Sequence, residues 1–459
     1  MLTANALLEV GTRGLKTFQI AMGVTSHNIT NSNTEGYTRQ RAELSSSYPI
    51  FLQPHIFGTG VQVDAIVRLR ESVLDATIRG ETSEVGRWEV NAQTLGTLET
   101  MLGNATNGSL GEALNAFWNG WQDLTSGPEE MGARQSLLDL SQRIADVFHG
   151  GVRRLDDLNT GLNTTVTAAV AKANGYTQSI AELNREIARA ELNGANANDL
   201  RDRRDLLVEK LSRLTDVHVV EQPNGMLDID VNGDVLVSGV NSFALSAVLN
   251  GGTNHMEVQL GGNPLAFTSG AFQGFTESFG EVDGTRAQLD QLAATLISEV
   301  NSRHAAGFDL QGNPAGAFFA GTDAATIGLD PALASNPAQI AASTTAAPGG
   351  NDLALAIAQL RDLKVIPGGT PTMTLNEAFN SLVLDLGSGS KRATETLGDF
   401  ERIRASVAER RSAVSGVNMD EELSNLLTFQ RAYEASARLI TTVDEMMDMI
   451  INRMGIVGR

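Results

Sequence analysis

The sequence contains no cysteine among its 459 residues, and this absence excludes disulfide bonds, thiolate metal ligands and a cysteine nucleophile. Aromatic residues are also scarce, at 5% of the chain. Small and polar residues are abundant instead, a composition that favours long helices and turn-rich loops over the deep core of an enzyme. The 42% of apolar residues still allows substantial cores, and the length is sufficient for roughly three domains.

Positive charge is in short supply as well. The chain has 34 Lys and Arg residues against 54 Asp and Glu residues, which gives a net charge of −20. Phosphate backbones and anionic lipid head groups are bound by clustered Lys and Arg, and the chain has no such block. The composition therefore argues against nucleic-acid binding and against docking on an anionic membrane.

Long hydrophobic runs are missing too. The sequence has no run of about 18 apolar residues, so no transmembrane helix and no membrane insertion are predicted. Glu9, Arg13 and Lys16 interrupt the first apolar pattern, so this segment does not have the uncharged core of a cleaved signal peptide. If the chain leaves the cell, we expect it to use another route.

Both ends of the chain carry residues at the alternating four-and-three spacing of a heptad repeat, which predicts a long helix at each end. The N-terminal series is Ala4, Leu8, Gly11, Leu15, Phe18, Met22, Thr25 and Ile29. The C-terminal series is Met419, Leu423, Leu426, Gln430, Tyr433, Ala437, Ile440, Asp444, Met447, Ile451 and Met454. We expect the two helices to pair as a coiled coil, either with each other or with other copies of the chain.

The N-terminal helix is predicted to be weak on its own. Gly11, Gly14 and Gly23 lie inside it, and each lowers helix stability by about 1 kcal/mol relative to alanine. Burial of the large apolar residues of the N-terminal series would stabilise the helix by about 1.5–3 kcal/mol each, but only when a partner covers them. We therefore expect this segment to become ordered when it docks.

A small, polar stretch follows the first helix. Asn28, Asn31 and Asn33 have side chains that compete for the neighbouring backbone, and Glu35-Gly36 indicates a turn. We expect this stretch to be the hinge between the terminal helices and the rest of the chain.

The middle of the chain is predicted to be helical on both sides of a β region. Residues 37–70 are expected to be extended, and helices are expected over 72–102, 109–124, 130–192, 199–214, 284–304, 351–362, 374–386 and 391–414. Residues 217–280 contain short strand patterns with Asn-Gly turns, which are typical of hairpins. The predicted fold class is mainly α with a β insert, a multidomain α+β chain.

One local pattern is similar to a metal-binding motif. Asp228, Asp230, Asn232 and Gly233 occupy the first places of a calcium-binding EF-hand loop. Gly239 stands where the loop requires Glu, and the flanking segments are predicted strands rather than helices. We therefore favour a hairpin turn.

Other candidate chemistry is equally local. Ser388 and Lys391 match the S-x-x-K pattern, but they lie in a Gly-Ser run that we expect to be a loop before a helix. The six histidines, His27, His55, His149, His218, His255 and His304, never share a helix face. We predict no metal site, no cofactor and no catalytic residues, although an active site assembled from distant residues would leave no local pattern.

Two long segments resemble a known family. GLKTFQIAMGVTSHNITNSNTEGYTRQ (14–40) resembles the N-terminal motif of flagellar rod, hook and hook-associated proteins. NLLTFQRAYEASARLITTVDEMMDMIINRMG (425–455) resembles their C-terminal motif. The TRQ ending, GTGVQVDAIVRLRESVLDATIR (58–79), DLRDRRDLLVEKLS (199–212) and the stretch 289–319 narrow the resemblance to the hook–filament junction group of this family.

The resemblance implies a structural adaptor rather than an enzyme. Such a chain is exported unfolded through the flagellar type III apparatus and assembles as a ring at the distal end of the hook, outside the cell. The implied partners are copies of the same chain, the hook protein, the next hook-associated protein towards the filament, and an export chaperone at the C-terminal region. The turn motif carried over from the family comprises Asn28, Asn31, Asn33, Gly36, Tyr37, Arg39 and Gln40.

Three parts are expected on this basis. They are a terminal coiled-coil tube domain (1–45 with 411–459), a helical rod domain (46–215 with 281–410) and a small all-β outer domain (216–280). The subunit-assembly seam is predicted to comprise Leu8, Leu15, Phe18, Met22 and Ile29 with Leu423, Leu426, Tyr433, Ile440, Met447 and Ile451.

Two alternative functions stay open. A distal rod or hook subunit would share the terminal motifs, but hook subunits are mostly β between their ends. An exported peptidoglycan-hydrolysing enzyme would need convergent carboxylates or a metal site in 216–350, and the sequence offers no pattern of either kind.

Overall fold

The computed structural model describes residues 4–52, 55–103, 108–347, 349–366 and 373–450. Its helices are α1 (Ala4–Asn31), α2 (Ser72–Gly103), α3 (Leu110–Ser126), α4 (Met131–Ala190), α5 (Asn198–Ser212), α6 (Gly270–His304), α7 (Pro331–Ser335), α8 (Asp352–Ala358), α9 (Leu375–Ser415) and α10 (Met419–Asp448). Helix predominates throughout these residues, which confirms the predicted fold class.

The strands of the described residues are short and pair in antiparallel fashion. They are β1 (Gln40–Ser46), β2 (Ile50–Leu52), β3 (His55–Phe57), β4 (Val61–Arg68), β5 (His218–Glu221), β6 (Leu227–Val231), β7 (Asp234–Ser238), β8 (Asn241–Ser242), β9 (Leu245–Leu249), β10 (Met256–Leu260), β11 (Asn263–Pro264), β12 (Phe319–Ala320) and β13 (Gly328–Leu329). The two larger sheets have the orders β5-β6-β7-β8 and β11-β10-β9.

The terminal helices α1 and α10 pack against each other within one chain, so the predicted pairing is confirmed. They run antiparallel, because Gly11 of α1 lies against Ile440 and Phe18 lies against Phe429, with ring centroids 6.5 Å apart. A Cβ atom on Gly11 would stand 2.6 Å from Ile440 Cγ1. A glycine that weakens the isolated helix thus permits the two helices to approach closely.

The ribbon of β1 and β4 lies along α1. The Thr17 hydroxyl donates a hydrogen bond to the Val61 carbonyl at 3.0 Å, and Arg13 Nη1 donates to Thr59 Oγ1 at 3.3 Å. We call α1, β1–β4 and α10 the arm, and the remaining elements from α2 to α9 the body.

The body is organised around α2, which packs against both α6 and α9. The predicted loop at the Gly-Ser run is wrong, because Ser388 and Lys391 lie inside the continuous helix α9. Small residues at this point let α9 pack closely on α2. A Cβ atom on Gly389 would lie 3.6 Å from Leu95, and one on Gly387 would lie 3.4 Å from Glu99.

The scarce aromatic residues are concentrated where α3 meets the loops after α6. Phe117, Trp118 and Trp121 of α3 are buried with Phe318 and Phe319. Their rings meet at tilted and edge-to-face angles; the centroids of Trp121 and Phe318, for example, are 5.2 Å apart. Such pairs stabilise a core beyond the area that they bury.

The 60-residue helix α4 connects the helical and β regions of the body. The Asn174 side chain accepts from the Leu245 N–H and donates to the Leu245 carbonyl, both at 2.8 Å. Asn184 Nδ2 donates to the Leu227 carbonyl at 2.8 Å. Buried residues of the strands and of α4 belong to one continuous core.

The Asn-Gly turn between β6 and β7 has the conformation expected of a tight hairpin. Asn232 and Gly233 have φ angles of 51° and 93°, the left-handed values that such a turn requires. The hairpin prediction is therefore confirmed over the EF-hand alternative.

The β region is shorter than predicted, because α6 begins at Gly270 rather than near residue 284. Phe272, Phe275 and Phe279 follow helical spacing and are buried, whereas the glycines interspersed among them conceal the helix in the sequence. The predicted boundary at 280/281 therefore falls inside α6, and the strands of the β region end at Pro264.

Two further predicted boundaries also fall inside elements. The boundary at 45/46 lies within β1, and the one at 410/411 lies within α9. The chain passes between arm and body at 69–71, after β4, and at 416–418, before α10. The polar turn after α1 joins two elements of the arm, so it is not the covalent hinge that the sequence suggested.

Candidate functional site

The predicted assembly seam lies on the arm, and most of it is half-buried. Leu8, Leu15, Phe18, Met22, Ile29, Leu426, Tyr433, Ile440 and Met447 are partly exposed, Leu423 is 46% exposed, and Ile451 lies outside the described residues. The fully buried residues of α1 are small or polar: Gly11, Gly14, Thr17, Ala21, Thr25 and Asn28. Most of these residues precede a seam position by one, so the close contact with α10 and the β ribbon uses a neighbouring line of α1.

The two-helix arm leaves a large apolar surface uncovered. Its exposed apolar side chains on the helices and the following residues are Ile20, Met419, Leu423, Leu427, Met446, Met449 and Ile450. On α10 and the residues just after it they form two groups at helical spacing, Met419 with Leu423 and Leu427, and Met446 with Met449 and Ile450, and exposed apolar groups of this kind indicate an interaction site. Among the described residues, no helix is both long and apolar enough to cross a membrane.

The base of the arm is organised by the buried amide of Asn28. Its Oδ1 accepts from the Tyr37 hydroxyl at 2.7 Å and from the Gln40 N–H at 2.9 Å. Its Nδ2 donates to the Gln40 carbonyl at 2.8 Å and to Glu422 Oε2 at 3.0 Å. All four hydrogen bonds of one amide thus link α1, the turn, β1 and α10.

Arg39 continues this connection with a pair of carboxylates. Its Nε donates to Glu422 Oε1 at 2.7 Å, and its Nη2 lies 2.9 Å from Glu421 Oε1. Glu422 is only 2% exposed, so its charge is held by Arg39 and Asn28 away from water. The bond to Glu421 raises the pKa of Arg39 and lowers the pKa of Glu421.

α10 begins at this cluster. Asn418 Oδ1 accepts from the backbone N–H groups of Asp420 at 3.0 Å and Glu421 at 3.3 Å, so the predicted N-terminal cap is present. The Arg39 N–H donates to the Ser415 carbonyl at 2.8 Å, which ties the turn to the end of α9.

Tyr37 and Gln40 face α5. Gln40 Nε2 donates to Asp199 Oδ1 at 2.8 Å, and Asn198 Nδ2 donates to Gln40 Oε1 at 3.2 Å. Burial, followed by the nearby carboxylates, raises the pKa of Tyr37 well above its ordinary value. The phenol therefore stays protonated and serves Asn28 as a donor.

The rest of the turn motif is not part of this cluster. Asn31 Nδ2 donates to the His27 carbonyl at 3.0 Å, and Asn33 is exposed. Gly36 has a φ of 79° and lies over Leu206, where a Cβ atom would approach to 3.2 Å. The structure thus brings together Asn28, Tyr37, Arg39 and Gln40, and it leaves Asn31 and Asn33 at the margin.

The sequence interpretation missed the carboxylate side of the cluster. Asp199, Asp202 and Glu422 receive the donors of the turn, but none of them was among the predicted site residues. The signal was present in α5, where acidic residues at 199, 202, 205 and 209 recur at three- and four-residue spacing and so share one helix face.

The remaining candidates for a chemical site were a metal centre and the histidines. Across the described residues, no set of three or more His, Asp or Glu side chains is arranged to hold a metal ion. His304 is buried, with Nδ1 donating to the Gly316 carbonyl at 2.8 Å and Nε2 accepting from the Ala341 N–H at 2.9 Å. This histidine is a neutral structural group.

Family models match three parts of the chain. The model described as "Flagellar hook-associated protein FlgK helical domain" matches residues 95–319. "Flagella basal body rod protein" matches 8–38, and "Flagellar basal body rod FlgEFG protein C-terminal" matches 411–454. The two terminal matches cover most of α1 and α10, and the first match lies in the body.

Whole-length relatives agree with this assignment. Flagellar hook-associated protein 1 of Bacillus subtilis (strain 168) is 29% identical, with 98% of this chain and 99% of the relative covered. Flagellar hook-associated protein 1 of Escherichia coli (strain K12) is 24% identical, with 98% of this chain and 100% of the relative covered.

A solved structure shares the fold. The flagellar hook junction protein FlgK from Burkholderia pseudomallei superposes with a TM-score of 0.65 at 19% identity, covering 74% of this chain and 100% of that chain. The curated relatives, the first matched family model and this structure name the same protein, flagellar hook-associated protein 1 (FlgK). The chain is similar to it over almost its whole length, and these findings support a structural role in the flagellum.

Proposed function

We propose that the chain is a structural adaptor that joins the flagellar hook to the filament. It assembles as a ring at the distal end of the hook after type III export. The observation that carries the proposal is the uncovered apolar surface of the paired terminal helices. An arm whose helices leave apolar side chains exposed buries them when neighbouring arms pack side by side.

The partners follow from this arrangement. Copies of the chain contact one another in the ring, the hook protein lies on one side, and the next hook-associated protein lies on the filament side. An export chaperone covers the C-terminal region before assembly. We propose no catalytic role, no nucleic-acid partner and no membrane insertion, in keeping with the acidic composition and the apolar surface of the arm.

We further propose that the seam residues make the contacts between copies. Their partial exposure supports this role, because a neighbouring arm could bury the remainder of each side chain. In the assembled ring, the arm lines the inner tube, the helices of the body form the rod layer, and the strands between β5 and β11 face outward.

Microscopy of a strain without the gene for this chain tests the proposal. We expect hooks that carry no filaments, with filaments restored by the gene on a plasmid. Loss of the hooks themselves would contradict the junction role and support a distal rod or hook subunit.

The enzymatic alternative has a direct test. Purified chain is incubated with peptidoglycan, and release of soluble fragments is followed. We expect no release above that of a heat-denatured sample, and release that depends on the native chain would contradict a purely structural role.

A further inference from the structure

The arm is attached to the body mainly through polar contacts. The chain crosses between them at 69–71 and at 416–418, and the base of the arm lies against α5. A polar cavity of about 250 Å³ borders this base, lined by residues that include Tyr37, Arg79 and Arg411. Packing alone therefore does not determine the direction of the arm.

One face of α5 holds the base of the arm. Asp199 accepts from the Gln40 side chain at 2.8 Å, and Asn198 donates to the Ile66 carbonyl at 2.9 Å. Nearly two turns further on, Asp205 accepts from Arg68 Nη1 at 2.8 Å and is also paired with Arg70. These contacts reach both the start of β1 and the end of β4.

The same face also holds the second crossing. Glu209 accepts from Arg411 Nη1 at 2.8 Å, near the end of α9 and therefore just before the chain enters α10. Lys210 Nζ lies 3.5 Å from Glu35 of the turn. Both covalent connections of the arm thus lie beside one 15-residue helix.

Asp202 occupies the centre of this face. Its Oδ2 accepts from the Thr38 N–H at 2.9 Å, and its Oδ1 accepts from Arg68 Nη1 at 2.8 Å. Its side chain is 6% exposed, so loss of the carboxylate would leave the Thr38 N–H without a partner in a place that water reaches poorly, and Arg68 Nη1 would keep only Asp205. No other α5 carboxylate in these contacts accepts from both the turn and β4.

We propose that α5 is the positioning element that sets the direction of the arm relative to the body, with Asp202 as its central residue. Hydrogen bonds, including those within ion pairs, are directional, so a row of them along one helix fixes an angle that a small apolar contact would not. The inference rests on the proposed function, because the direction of the arm matters to a ring whose arms must pack side by side.

The absence of cysteine makes the test direct. Spin labels are attached at Glu186→Cys on α4 and Thr441→Cys on α10, two exposed positions, and the distance distribution is measured by double electron–electron resonance. A second pair, Thr12→Cys with Thr441→Cys, reports on the arm alone, because both positions lie on its helices.

With Asp202→Ala, we expect the 186–441 distribution to widen and its mean to shift, while the 12–441 distribution stays unchanged. Asp202→Asn keeps an oxygen that can accept from Thr38, so it should restore much of the narrow distribution. Asp139→Ala, the loss of an exposed carboxylate on α4, is the matched control and should change neither distribution.

An unchanged 186–441 distribution in Asp202→Ala would overturn the inference. Equal broadening of the 12–441 distribution would overturn it as well, because the residue would then support the fold of the arm rather than its direction. The measurement uses the purified chain, so its failure is separate from the outcome of the deletion strain, which tests the hook–filament role.

Discussion

A single amide shows how much one residue of the turn motif can do. Asn28 lies in the last turn of α1, yet its four hydrogen bonds all go to groups outside that helix. Each buried donor or acceptor left without a partner costs about 1–3 kcal/mol. A residue that can neither donate nor accept would therefore leave the Tyr37 hydroxyl, the Gln40 backbone groups and Glu422 Oε2 without this partner.

A second buried residue makes the stability of the body depend on pH. Burial lowers the pKa of His304, and the ring is neutral because Nε2 accepts from the Ala341 N–H. Below the ordinary histidine pKa of about 6.5, the unfolded chain binds a proton that the folded chain refuses. Stability is therefore full above that pH and declines as the pH falls from about 6.5 towards the lowered pKa.

We expect the urea midpoint of unfolding to decrease between pH 7.5 and pH 5.5 by more in the native sequence than in His304→Gln. The variant is expected to be less stable at pH 7.5, because Gln does not reproduce the ring packing against Trp121 and Phe318. Unfolding would be followed by tryptophan fluorescence, which reports on the same core. Identical pH slopes in the two proteins would contradict the role of His304.

At the scale of elements, the glycines of α1 have unequal roles. A Cβ atom on Gly11 would stand 2.6 Å from Ile440 Cγ1, whereas one on Gly23 would meet nothing within 4 Å. Alanine raises the intrinsic stability of a helix by about 1 kcal/mol at either position. At Gly11 this gain is opposed by a clash with α10, and overpacking of this kind typically costs about 1–3 kcal/mol.

Gly11→Ala and Gly23→Ala therefore form a matched pair. We expect Gly23→Ala to slow amide hydrogen exchange in α1, and Gly11→Ala to accelerate exchange in both α1 and α10. Slower exchange in Gly11→Ala would mean that the helices separate without loss and that close approach does not stabilise the arm.

The sequence predicted the positions of the long helices better than it predicted which side of each helix is buried. Heptad spacing identified α1, α4 and α10, because apolar residues recur along one face of each helix. The fully buried residues of α1 include Gly14, Thr17, Ala21 and Asn28, each one position before a predicted seam residue, since small residues such as Gly14 carry no hydrophobic signal. The Gly-Ser part of α9 and the start of α6 were missed for the same reason. Their glycines let neighbouring helices approach but carry no hydrophobic side chain that a sequence pattern could detect.

The candidate site was predictable only in part. The turn residues Asn28, Tyr37, Arg39 and Gln40 were identified through a resemblance, but their partners on α5 are more than 150 residues away in the chain. A charged helix face looks the same in a sequence whether it meets water or a row of buried donors. Only the fold distinguishes the two cases.

The whole molecule combines a body that has one continuous core with an arm that leaves apolar side chains exposed. The arm contacts the body through hydrogen bonds and ion pairs. Most of the exposed apolar residues of its helices lie on α10. We therefore propose that assembly uses one surface of the molecule and that folding depends on others. A change on the exposed side of the arm should affect the flagellum without affecting the body.

Met447→Asp tests this separation. Met447 is partly exposed on α10, and we propose that a neighbouring copy covers it in the ring. A charge at that place would be buried without a partner on assembly, at a cost of several kcal/mol. Expressed in the deletion strain, the variant should fail to restore filaments and swimming, while the purified chain should keep the thermal unfolding temperature of its body.

Thr442→Asp is the matched control, since it adds the same charge at an exposed position of α10 outside the seam. We expect this variant to restore filaments, because its carboxylate stays in contact with water. Normal filaments with Met447→Asp would remove Met447 from the contact between copies. Loss of filaments in both variants would show that the arm tolerates no added charge, and the contact between copies would then be sought on the side of α10 that carries Leu427, which is 56% exposed.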